Sequence, residues 1–277
     1  MKVRLGLATS AAVIAAFGAA SAADLEIRHA AVRVTVTPEA RGDVVVSVFK
    51  PSPRLHVKIY RAGDTLVVDG GLGVRSPNCT SASGGKGVHV WGVGFTPYDQ
   101  LPQIMIRAPM NVKIRASGAV FGTVGRSDST ELDNAGCGDW TLANTAGPAT
   151  VRLAGSGDLR AGSAGSADVR ISGSSDVNFA NIRNGLNSST SGSGDLRAGA
   201  VNGPMHVRIA GSGDVIAHGG QVTDMTVNVA GSGDVQFAGV AQSLQASVAG
   251  SGDVVVGRVT GNVTKHVAGS GTVSVGG

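Results

Sequence analysis

Residues 209–220 read IAGSGDVIAHGG, and the fold turns on how this stretch is understood. Two glycines and a serine precede an aspartate, and the chain then returns at once to valine and isoleucine. Glycine reaches positive φ without steric cost, and serine and aspartate hydrogen-bond nearby backbone groups in tight turns. The stretch therefore reads as a sharp corner between two short strands.

The corner recurs. The residue that follows the small turn is Ala119 in ASGA, Asp139 in GCGD, Asp158 in GSGD, Asp176 in GSSD and Asp195 in GSGD. Asp214, Asp234 and Asp253 follow, each in GSGD, and Thr272 ends the series in GSGT. Successive positions lie 18 to 20 residues apart, the mark of a stacked repeat. The flanks alternate by two. Five residues before each corner residue stand Leu153, Ile171, Thr190, Ile209, Val229, Val248 and Val267. Just after it stand Leu159, Val177, Leu196, Val215, Val235, Val254 and Val273. Polar residues fall between, so these are strands with one face buried. So short a strand pair cannot bury its face alone, but equivalent strands of successive coils can close a continuous core. The pattern predicts an all-β, single-stranded parallel β-helix (a solenoid) of about 19-residue coils, each rising about 4.8 Å. Ser188, Thr190 and Lys265 break the aliphatic columns and mark expected points of loosening.

Stacking also sets an electrostatic problem. Aspartates in register lie about 5 Å apart, and their repulsion at an effective dielectric of 20 is about 3 kcal/mol per pair. The expected turn ladder is Asp139, Asp158, Asp176, Asp195, Asp214, Asp234 and Asp253, with amide donors holding the carboxylates. A calcium ladder on Asp158, Asp195, Asp214, Asp234 and Asp253 is the alternative.

The chain opens with Lys2 and Arg4, continues with an alanine-rich apolar run, and reaches Ala20-Ser21-Ala22. That pattern predicts an export signal over 1–22, cleaved before Ala23. Losing Lys2 and Arg4 would lower the formal net charge from +4 to +2. No basic cluster stands out, so no nucleic-acid partner is expected. No later stretch is long and apolar enough to span a membrane as a helix. In an exported chain the two cysteines, Cys79 and Cys137, are expected to pair. Residues 23–102 lack the GSGD turn and read as a β-rich cap, stapled by that disulfide to the β-helix of 103–277.

The GSGD[VL] corners behind an export signal resemble the auto-transporter adhesin head GIN domain family, exported bacterial envelope proteins. The resemblance covers about Gln103 to Gly277. ELDNAGCGDW followed by AGSGDLRAG looks like the version found in Gram-negative proteobacteria. It implies a right-handed β-helix and an adhesin-like or envelope role, and it supplies no catalytic residue.

The residues themselves point away from chemistry. The one dense acidic cluster, Asp128, Glu131 and Asp133, reads as a solvated loop. Aromatic platforms for sugar are nearly absent beyond Trp140, and the six histidines share no metal-ligand spacing. No nucleophile elbow or phosphate loop is present. The expectation is a non-catalytic, cofactor-free protein, periplasmic or secreted to the cell surface. Its partners would be envelope or surface components or itself, with homo-oligomers open. Arg152, Arg160, Arg170, Arg197 and Arg208 read as a mildly basic strip for an anionic glycan. The alternative is a polysaccharide-active enzyme or a calcium-dependent glycan binder.

Overall fold

A computed structural model describes residues 15–17, 23–73, 77–82 and 85–276. The expected export signal and its cleavage site lie outside these residues, save for Ala15–Phe17. The fold is a parallel β-solenoid of about nine turns with about 19-residue spacing.

Each turn has a broad and a narrow face. Broad-face strands such as Pro148–Gly155, Ser166–Gly173 and Leu186–Gly192 pair in parallel, residue for residue. Narrow-face strands such as Leu159–Ala161, Val177–Ile182 and Leu196–Val201 do the same. The alternation in the sequence becomes two bore-lining columns on the broad face. One runs Ile114, Leu132, Val151, Val169, Ser188, Val207, Val227, Ala246, Lys265. The other holds Leu153, Ile171, Thr190, Ile209, Val229, Val248 and Val267. Burying one such valine or leucine contributes about 1.5–3 kcal/mol.

The three expected weak points behave differently from one another. Ser188 and Thr190 point into the bore, fully buried, and their rung keeps its register with both neighbours. Their hydroxyls have no hydrogen-bond partner among the described residues, so the cost is polar burial without a shift of the strands. Lys265 sits in a bore column on the outermost rung, where its ammonium donates to the Val273 carbonyl at 2.8 Å.

The stack begins with Ala23–Pro38, whose residues pair in parallel with Asn111–Val124 across both faces. The chain then leaves the stack for 72 residues before that second rung begins. Within this excursion Thr65–Asp69 and Gln103–Ala108 lie on the outer side of Ala23–Pro38, each in parallel. Lys58–Ala62 and Val44–Lys50 then pair antiparallel to those two strands and end the parallel run. The first rung turns its corner by a bulge, passing from Ile27 opposite Ala116 to Ala30 opposite Gly118. His29 takes a left-handed conformation there, with φ 47°.

Close stacking dictates the glycines. The first glycine of AGSGD forms an unbroken column, Gly155, Gly173, Gly192, Gly211, Gly231, Gly250 and Gly269. Gly211 has φ +144°, and a Cβ there would lie 2.2 Å from the Gly192 carbonyl oxygen. The second glycine is also tight, but Ser175 occupies its place in one rung, where the repeat shortens from 19 to 18 residues. The first column has no such exception.

Gly211→Ala is therefore expected to destabilise the fold by at least about 2 kcal/mol, adding left-handed strain to a backbone clash. Thermal or urea melts check it, and an unchanged melt would sink the stacked-corner account. Thr190→Val, which removes an unpartnered buried hydroxyl at nearly constant volume, is expected to stabilise by about 1 kcal/mol in the same melts.

Candidate functional site

The corners place the aspartates in one line along the solenoid. The Asp158 amide donates to Asp139 Oδ1 at 3.3 Å, and the Asp176 amide to Asp158 Oδ1 at 3.1 Å. The series continues through Asp195, Asp214, Asp234 and Asp253 at 3.0, 2.9, 2.8 and 2.7 Å. At its head Asp253 Oδ1 accepts from both the amide and the hydroxyl of Thr272, each at 2.8 Å. The backbone runs a second chain the opposite way. The amide after each aspartate donates to the next aspartate's carbonyl, as from Leu159 to Asp176 at 2.8 Å. Each carboxylate thus accepts a charge-assisted bond, about 1.5–3 kcal/mol, against a repulsion of similar size.

Two cations join the ladder. Lys86 pairs with Asp139 at its foot, and Arg197 reaches Asp195 at 2.7 Å and Asp176 at 3.8 Å. Among the alternative calcium positions, Asp158, Asp214, Asp234 and Asp253 meet the next rung's amide and, among the described residues, no cationic side chain. Among the described residues no three His, Cys, Asp or Glu side chains gather as a metal site.

The register corrects the start of the series. Ala119 stands opposite Cys137, in the serine column, not in the aspartate column. Gly122 is paired with Trp140, so Phe121 is the residue level with Asp139. A bulky aromatic in place of the aspartate hid this corner from a motif search. Its ring serves a second core. The small sheet of Asn78–Ala82, Gly85–Val90 and Gly94–Pro97 packs over Ala31, Ala119 and Phe121. Cys79 of that sheet forms a disulfide with Cys137, Cα atoms 5.7 Å apart. Closing a span of 58 residues is worth about 4 kcal/mol in the chain-entropy picture.

The supposed acidic loop is a strand, Ser129–Cys137, because its alternate residues Thr130, Leu132 and Asn134 fill the bore. Glu131 and Asp133 face outward and are neutralised. Glu131 lies 3.2 Å from Lys113 and 2.9 Å from Arg152, and Asp133 lies 3.0 Å from Arg152. Partial burial opposes ionisation of Glu131, but those two cations outweigh it and hold its carboxyl below the usual range. Asp24 and Arg115 pair at 2.7 Å on the same face.

The basic strip divides. Arg152, Arg170 and Arg208 share one broad-face column, whereas Arg160 and Arg197 lie on the narrow face. The repeat puts an odd number of residues around the corner, so sequence alternation alone does not tell the faces apart. Arg152, Arg170 and Arg197 are ion-paired, Arg170 with Asp168 at 2.7 Å. The broad face is therefore charge-matched over its first rungs. From Leu186–Gly192 onward it becomes a flat lattice of small and polar side chains, with Arg208 standing in the column that continues through Asn228, Ser247 and His266. A shallow groove of about 460 Å³ runs there between Ser189, Ser191, Arg208, Asn228 and Ser247.

Asp214→Asn retains an oxygen acceptor for the Asp234 amide and removes one charge from the line. It is expected to change stability by no more than about 0.5 kcal/mol, whereas Asp214→Ala is expected to cost about 1 kcal/mol. Equal losses in the two melts would show that the carboxylate charge itself, and not the acceptor, is what the ladder needs.

No curated protein matches the chain. Among solved structures, a putative lipid binding protein from Parabacteroides distasonis aligns with TM-score 0.51 and 17% identity, covering 95% of this chain and 96% of that one. A putative adhesin from the same organism aligns with TM-score 0.41 and 14% identity, over 95% and 96% of the two chains. Another from Bacteroides fragilis aligns with TM-score 0.39 and 14% identity, over 96% and 98%. The first of these shows a shared fold and no more. Residues 163–258, which contain the corners from Asp176 to Asp253, match the family described as "Putative auto-transporter adhesin, head GIN domain", the family whose repeat these corners resemble.

Proposed function

We propose that this chain is a non-catalytic, exported envelope protein, periplasmic or at the cell surface, whose solenoid presents an adhesin-like binding face to envelope or surface components. The carrying observation is the change along the broad face. Its first rungs match acid to base, and its later rungs offer a flat, regular surface of short polar side chains with the guanidinium of Arg208 outside any ion pair among the described residues. A surface with an approximately 4.8 Å repeat suits an extended polymer running along the axis, and the exposed cation favours an anionic one. The family match over residues 163–258 coincides with these rungs and supports the same reading. The cap role of 23–102 belongs to this proposal: its antiparallel strands stop the parallel run at one end, leaving the later rungs as the accessible face.

The test is binding of the chain from Ala23 to lipopolysaccharide and to whole Gram-negative cells at two salt concentrations. Expected is salt-sensitive binding that Arg208→Glu weakens about threefold or more, with Arg160→Glu on the narrow face without effect. Absence of binding, or equal loss from the two variants, would overturn the assignment to this face.

A further inference from the structure

The described ends of the main sheet differ in how they are protected. An unpaired strand edge recruits another chain unless charge, brevity or cover blocks it. Lys58–Ala62 carries Lys58 and Arg61, and Val263–Gly269 carries Lys265 and His266. Val273–Val275 is only three residues long. Val44–Lys50 is different. It reads VVVSVFK, has no charge before its last residue, and keeps Phe49 69% exposed. One side of it pairs with Gln103–Ala108. On the other side lies Ala15–Phe17, antiparallel, with Ala15 opposite Val46 and Phe17 opposite Val44. Those three residues belong to the segment expected to be removed on export.

We propose that Val44–Lys50 is the self-association edge of the processed chain, pairing antiparallel with the same strand of a second copy about a two-fold axis. The inference rests on the export reading given above, because only loss of residues 1–22 frees the edge. Three features favour a second copy as the occupant. The edge accepts an antiparallel neighbour in this structure, which is the direction a two-fold axis imposes on identical strands. Its sequence is self-complementary on the buried face: with Val46 near the axis, Val44 meets Val48, while on the outward face Val45 meets Ser47. The exposed Phe49 ring lies beside that contact and gains cover from it. The dimer would join two solenoids at their N-terminal ends through the continuation of their narrow-face sheets.

The experiment is sedimentation of the exported, purified chain between about 1 and 100 µM, alongside Ser47→Lys and Phe49→Glu. Both substitutions are at outward positions, and matched thermal melts confirm that the variants fold. Expected is a dimer dissociating in the micromolar range, weakened about tenfold or more by either substitution. Amide exchange at Val44–Val48 should rise on dilution of the wild type and be fast at all concentrations in the variants. A monomer throughout, or a dimer indifferent to both substitutions, overturns the proposal. Intact mass reads the N-terminus separately. A chain still carrying residues 1–22 counts against the export reading, and that chain is expected to be monomeric because its edge is filled; a dimer of it also overturns the proposal.

Discussion

Backbone must lie on backbone at every corner, and most of the sequence answers to that requirement. Successive rungs are separated by one strand spacing, about 4.8 Å, so a corner has no room above or below for a side chain directed along the axis. At the first glycine of each AGSGD a Cβ would meet the carbonyl oxygen of the rung beneath at little over 2 Å. Glycine is forced there for two reasons at once, the left-handed backbone and the absent space. This explains why the glycine content is high in a chain that is neither disordered nor collagen-like: the glycines are concentrated at the contacts between rungs. It also explains Trp140. Its ring lies over Gly122, where a Cβ would come within 2.1 Å of it, so the wide indole of one rung is matched by the missing side chain of the rung before.

Once the corners are stacked, the polar residues within them cannot act alone. An aspartate repeated at one point of every coil repels its neighbours, and the fold answers by turning each carboxylate toward the amide one rung up. The amide needs an acceptor because the corner interrupts the regular sheet, and the carboxylate needs a donor because it stands among like charges. One bond satisfies both needs, and it also ties adjacent rungs. Where the line starts, Asp139 has no carboxylate below it, and Lys86 from the small sheet fills the place. The disulfide holds that sheet against the same corner, so covalent and ionic links converge on the foot of the ladder.

The repeat was legible from Asp139 onward because one residue type in a fixed small-residue frame survives in every rung as far as Asp253. The parallel solenoid, the bore columns and the line of aspartates followed from that. The features that were not legible share a physical cause: they depend on which residues face one another across rungs. Phe121 replaces an aspartate, and Ala119 imitates the corner two residues early, so the first register was misplaced. Glu131 and Asp133 looked like a loop because charge dominates the local composition, although the intervening Leu132 and Asn134 point into the bore. The five arginines looked like one strip because the count around a corner decides the face, and an alternating pattern does not carry that count.

The first rung shows how far this dependence reaches. Ala23–Pro38 has the length and alternation of any strand, yet none of the corner signature, since His29 and Ala30 stand where later rungs use glycine. It turns by a bulge, and its neighbours on the outer side come from Thr65–Asp69 and Gln103–Ala108, far along the chain. Later rungs each find their partner about 19 residues away, whereas this one must wait for contacts across much longer loops, which are costlier to close. Two different problems are therefore solved in one molecule. The repeats propagate by local pairing and need only the glycine frame, while the N-terminal region must assemble two antiparallel edges and a second small core. The covalent bond falls where the long-range assembly meets the repeat, at Cys137, which stands in the serine position of its corner. A crosslink inside the repeats would shorten loops that are already short; placed here, it constrains the segment whose ordering costs most entropy.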